Sequence, residues 1–162
     1  MSEKTKKKIF DNLDTIGSII MIVALFLGAF YKDDGGAYAV TDVYPGYKLI
    51  LNTDYLLGSL FIILPAIVLI TRYVSSLDKY SRLIKLVCPI ITLIFVFVLK
   101  NQIVDAIGEI TSAKVSFATG AWIYLLGNII ALIGGAAGFW GINLESEINK
   151  VTSNVAEKND KK

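Results

Sequence analysis

Few side chains in this sequence belong to types that do chemistry, and their spacing limits what they can do. There is no histidine, and Cys88 is the single cysteine. A nucleophilic triad that relies on His is therefore excluded. So are a Cys/His metal site and an intramolecular disulfide. Asp105 and Glu109 are the best-placed acids for catalysis, but no base, metal set or phosphate-binding loop stands near them. The sequence predicts no enzyme and no cofactor. A net charge of +2 is too small to suggest nucleic-acid binding.

Two polar positions remain as a candidate membrane site, Asn128 and Lys100. Each lies inside a long apolar run. Asn128 suits an interhelical hydrogen bond, with Thr92 and Ser59 as the nearest polar counterparts on other runs, or else a substrate contact. Lys100, followed by Asn101 and Gln102, sits about four residues from the end of its run. There it can snorkel to the interface beside Asp105, or hold an ion or ligand. No apolar run carries Asp, Glu or Arg near its centre. That argues against a proton-coupled carrier, a voltage sensor and an intramembrane protease.

The elements that must position these groups are four apolar runs: Thr15–Tyr31, Tyr55–Tyr73, Leu86–Val104 and Gly120–Ile142. Roughly 20 apolar residues in helical form cross the hydrocarbon layer, and helix is the state that satisfies every backbone group in lipid. The expected fold is an all-α membrane protein, a four-transmembrane-helix bundle occupying residues 1–144, with a polar cytoplasmic tail over 145–162. The first run also resembles a signal peptide, with a basic start and Ala37-Tyr38-Ala39 in the place of a cleavage site. Its length, with Asp11 and Asp14 at its front edge and Lys32, Asp33 and Asp34 behind it, favours a retained anchor; cleavage would leave three spans.

Twelve of the sixteen Lys and Arg residues lie in or at the edge of the N-terminal arm, the link between runs two and three, and the tail; the other four, Lys32, Lys48, Lys100 and Lys114, lie in or at the edge of the other two loops. The positive-inside rule places the first set, and both termini, on the cytoplasmic side of a plasma membrane.

The last run has the most regular pattern. Gly127, Ala131, Gly134, Gly138 and Gly141 recur at steps of four and three and share one helix face. A stripe of small residues lets backbones touch, which is what holds helices together in lipid. Run one offers a matching stripe of Gly17, Met21, Ala24 and Gly28. The stripe suits packing within the bundle or an outward interface. Pro65 should kink the second run and free the carbonyl of Phe61, four residues back. Pro89 is expected in the first turn of the third helix. Trp122, Tyr124 and Trp140, with Tyr31, Tyr55 and Tyr73, suit an interfacial aromatic belt.

The first outer loop, residues 32–54, contains Pro45-Gly46 between β-prone stretches. It predicts a small extracellular β-hairpin with strands over 38–43 and 47–51. The second outer loop, 105–119, could add a third strand near 114–117. Tyr38, Tyr44 and Tyr47 are candidate partner contacts, or pack onto helix ends.

A long first outer loop with β character, a shorter second one and cytoplasmic ends resemble the claudin-type tetraspan layout. That family's Trp, Gly-Leu-Trp and Cys-pair pattern is absent from residues 32–54. The GNIIALIGGAAGF run resembles the glycine-rich last span of small bacterial four-span membrane proteins. The function expected from these features is a non-catalytic membrane protein: an accessory, immunity-type protective or assembly partner of another envelope protein. Its partners would be the lipid bilayer and a membrane protein or a second copy. A small oligomeric channel or transporter is the alternative.

Overall fold

The computed structural model describes residues 9–33, 43–51, 56–111, 114–144, 146–148 and 150–151. Tyr38, the start of the expected hairpin, the basic N-terminal arm and the tail from 152 onward lie outside the described residues.

The chain is mostly helical with one small sheet. Its elements are α1 (Leu13–Ala24), β1 (Ala29–Asp33), β2 (Val43–Pro45), α2 (Gly46–Leu51), α3 (Leu60–Ile70), α4 (Asp78–Thr111), β3 (Val115–Phe117) and α5 (Thr119–Trp140). At 34 and 22 residues, α4 and α5 extend about 51 and 33 Å. Two helices, Ser75–Ile103 within the α4 region and Thr119–Trp140, are long and apolar enough to cross a membrane. The other two main helices are shorter, 12 residues in α1 and 11 in α3.

The first run departs from the expected span. Its helix stops at Ala24, Gly28 turns the chain at φ +75°, and the remaining apolar residues become β1. A continuous apolar run looks alike as buried helix or buried strand, so periodicity could not separate the two. β1 is the central strand, antiparallel to β2 on one side and β3 on the other. Tyr31 pairs with Tyr44 and with Phe117. The 114–117 segment thus adds a strand, but to β1. The expected second hairpin strand, 47–51, is instead helix α2, with Gly46 and Leu49 buried on one face. Gly46 packs directly on the Leu25 backbone, so Pro45-Gly46 starts a helix rather than closing a hairpin.

α5 runs antiparallel to both α1 and α4: Gly120 meets Ala24 while Gly134 meets Asp14, and Asn128 meets Pro89 while Gly135 meets Lys85. α5 lies against α1 and α4, and α3 completes the circuit by touching both of those. The core sits at the sheet end. Phe30, Tyr31, Phe61 and Tyr124 are all fully buried. The Phe30 ring stands 5.0 Å from Tyr31, 5.4 Å from Phe61 and 5.3 Å from Tyr124. Buried Tyr hydroxyls need partners. Tyr31 donates to the Val96 carbonyl at 2.6 Å, and Tyr124 donates to the Phe61 carbonyl at 2.7 Å. Tyr31 and Tyr124 are therefore core residues, not belt residues. Trp122, Trp140 and Tyr73 are exposed.

Pro65 lies inside α3 and lacks the N–H that would bond Phe61. The Phe61 carbonyl it frees is the one that Tyr124 occupies. Pro89 is not in a first turn, because α4 begins eleven residues earlier at Asp78. It sits in the helix interior and leaves the Lys85 carbonyl without its i+4 donor.

Candidate functional site

The site grows out of how closely α5 meets its neighbours. A Cβ on Gly17 would strike the backbone of Ala131 and Gly127, and one on Gly127 would stand 2.9 Å from the Gly17 carbonyl oxygen. A Cβ on Gly134 would strike the backbone of Asp14 and stand 2.8 Å from the Leu13 Cβ. A Cβ on Gly135 would collide with the Lys85 carbonyl, the group freed by Pro89. Successive glycines thus thin α5 on two sides at once. α1 settles on Gly134 and α4 settles on Gly135.

The consequence is electrostatic. Asp14 from α1 and Lys85 from α4 meet beside the Gly134-Gly135 pair, Nζ to Oδ2 at 2.9 Å. Asp14 is 5% exposed. Burial on that scale demands a compensating charge, and Lys85 supplies it. The contact is an ion pair without the alignment of a good hydrogen bond at Oδ2. Ser18 Oγ donates to the Asp14 carbonyl at 2.8 Å and anchors the same turn. The Arg72 guanidinium donates to Asn12 Oδ1 and ties the segment after α3 to the start of α1.

Around this pair opens a cleft of about 410 Å³. Its walls are Asp11, Asp14, Asp78, Ser81, Arg82 and Lys85, and its floor is Gly134, Gly135 and Gly138. A narrower groove of about 150 Å³ shares Asp11, Gly134 and Gly138 with it and continues over Phe10, Ala137, Ile142 and Leu144. Asp11, Asp78 and Arg82 form no ion pair among the described residues. The cleft carries charges of both signs, with Asp14 buried and Asp11, Asp78 and Arg82 exposed at its walls. No group of three metal-ligating side chains occurs among the described residues.

The expected site residues fall in separate places. Gly127, Ala131 and Gly134 face α1. Gly138 has no atom within 4 Å of where its Cβ would be. Gly141 belongs to the helix end: at φ +68° it caps α5, and the Ile142 N–H reaches back to the Ala137 carbonyl at 2.9 Å. Asn128 is fully buried and donates to the Pro89 carbonyl at 3.1 Å, an interhelical bond. Its Oδ1 has no hydrogen-bond partner among the described residues. Lys100 lies far from it, over the Phe117 ring at 5.1 Å, a cation–π contact that docks α4 on β3. Tyr44 donates to Asp33 Oδ2 at 3.1 Å, while Tyr47 is 42% exposed on α2.

The residues missed from sequence are Asp14, Lys85 and Gly135. The signals for them were an acid at the second residue of α1 and a doubled glycine in α5. Spacing alone does not join two such features across 121 positions.

No family model, no curated protein and no solved structure matches this chain.

Proposed function

We propose that the chain is a four-span integral protein of the plasma membrane, with both termini cytoplasmic, and that it serves non-catalytically as an accessory, protective or assembly partner of another envelope protein. The observation that carries the membrane part is the outward face of the helices. Ile19 and Val23 on α1, Ile63 and Ile70 on α3, Ile90, Ile94 and Phe97 on α4, and Leu126, Ile129 and Ile133 on α5 are all exposed. Apolar exposure on every helix is what a bilayer solvates and water does not. The short helices α1 and α3 cross together with the turns that extend them, and the sheet lies at their outer ends. The cleft end and the sheet end then face opposite sides of the membrane, with the cleft inside.

The non-catalytic part is supported by how the buried polar groups are used. Tyr31, Tyr124, Thr92 and the Asn128 amide nitrogen each donate to a backbone carbonyl. Tyr31, Tyr124 and Asn128 join separate elements, and Thr92 bonds back within α4, so these donors are engaged by the backbone. Recognition is left to the surfaces, with Tyr47 exposed beside the sheet.

The test is purification of tagged chain in mild detergent from native-level expression, with mass by light scattering and co-purifying proteins by mass spectrometry. A stoichiometric membrane-protein partner, lost on Tyr47→Ala while the chain itself remains folded, is expected. A partner-free homo-oligomer that passes ions in liposomes would contradict the assignment.

A further inference from the structure

We infer that Trp122 at one end, and Trp140 with Tyr80 at the other, are the surfaces on which the chain meets lipid headgroups, and that they seat it in a bilayer whose apolar core is about 27 Å thick, measured along α5. The inference deepens the membrane assignment above and rests on it. It names the depth at which each end meets the interface.

The register between α4 and α5 sets the two levels. Gly135 meets Lys85 on this antiparallel pair. Equal steps from that contact, down α5 and back along α4, bring Trp140 level with Tyr80. At the other end Trp122 comes level with the turn of α4 that holds Phe97. The Phe117 ring joins them, 5.7 Å from Trp122 and 5.5 Å from Phe97, and carries the Lys100 ammonium at 5.1 Å. Strand β3 thus braces Trp122 and places a cation beside it. Trp140 packs edge-on against Phe139 at 5.7 Å, and α5 ends there at the left-handed Gly141.

What is exposed between the levels identifies the partner. Trp122, Tyr80 and Trp140 are more than half exposed. Each carries one polar group on an apolar ring, the type that settles where hydrocarbon meets headgroups. The exposed side chains between them are apolar: Leu83, Val87, Ile90 and Ile94 on α4, and Leu126, Ile129 and Ile133 on α5. Exposed polar groups return beside the two levels, with Arg82 near Tyr80, and Asn101 and Gln102 beyond Phe97. The spacing of about 27 Å is close to the roughly 30 Å of a hydrocarbon core. A second protein copy would need the apolar face, but not an amphipathic ring at each limit of it.

The experiment uses the full-length chain in phosphatidylcholine vesicles whose acyl chains carry bromine either near the glycerol or near the chain terminus. Bromine quenches tryptophan on contact, so the two lipids read depth. Trp122 and Trp140 are the two tryptophans of the chain, and Trp140→Phe or Trp122→Phe leaves one reporter at a single end. Both positions are exposed, and circular dichroism verifies the fold. Expected for each is quenching about twofold stronger by the shallow bromine than by the deep one. A third chain, with Trp122→Phe, Trp140→Phe and Ile129→Trp, puts the reporter midway and should reverse that order. Deep quenching of either native tryptophan overturns the assigned levels. So does absence of quenching at either end while the Ile129→Trp reporter is quenched by the deep bromine, which would mean that protein or water covers the indole; the membrane assignment then stands. Absence of quenching at all three positions would sink the membrane assignment as well.

Discussion

At the scale of single residues, the fold gives several buried polar groups a specific partner, and two of these pairings are testable. Pro65 removes the donor for the Phe61 carbonyl, and the Tyr124 hydroxyl replaces it. Tyr124→Phe should cost about 1 kcal/mol by leaving that carbonyl unpaired. In a Pro65→Ala background the same change should cost much less, because the new N–H at position 65 takes the carbonyl. Unfolding titrations in mixed micelles measure the coupling, and an identical penalty in both backgrounds would refute the link. The Asp14–Lys85 pair behaves differently. Lys85→Met strands a buried carboxylate and should destabilise by about 3 kcal/mol. Adding Asp14→Asn should restore most of that loss, read by the same titration. Pro65 and its freed carbonyl were legible in the sequence because proline chemistry is local. Tyr124 was not. An aromatic near a span end reads equally as belt or core, and only the position of Phe61 across the helix contact decides.

Among the elements, the contact of α1 with α5 separates the glycines by what they touch. Gly17→Val should disrupt assembly, because the clash is with the backbone of Gly127 and Ala131, which cannot give way. Gly134→Val should do the same against Asp14. Gly138→Ala should be tolerated. Yield of monodisperse protein on size exclusion checks the series; equal tolerance at all three positions would contradict the packing. The shared face of Gly127, Ala131 and Gly134 followed from a 4-3 spacing, which geometry ties to one side of a helix. The role of Gly135 did not, since it lies off that stripe and serves the other neighbour, α4. The strand β1 was hidden for a related reason. Its residues, Ala29-Phe30-Tyr31, continue an apolar run that carries no alternation, and Gly28 was read as part of a stripe when it is the turn.

For the molecule as a whole, the sequence foresaw a mostly helical chain, and long apolar helices are present in α4 and α5. The small sheet was foreseen as a hairpin in the first outer loop with a third strand near 114–117. Instead the end of the first apolar run supplies the central strand β1 between β2 and β3, a long-range pairing that local turn signals do not encode. The central claim is that the sheet end and the cleft end lie on opposite sides of a membrane, with the cleft inside. Single cysteines at Ser116 in β3 and at Ser76 before α4, both exposed, report the two ends, while the native Cys88 is buried. The decisive measurement is labelling by a membrane-impermeant maleimide in intact and in permeabilised cells. The account predicts that Ser116→Cys labels in intact cells and Ser76→Cys labels only after permeabilisation. Both positions labelling from the same side would contradict it.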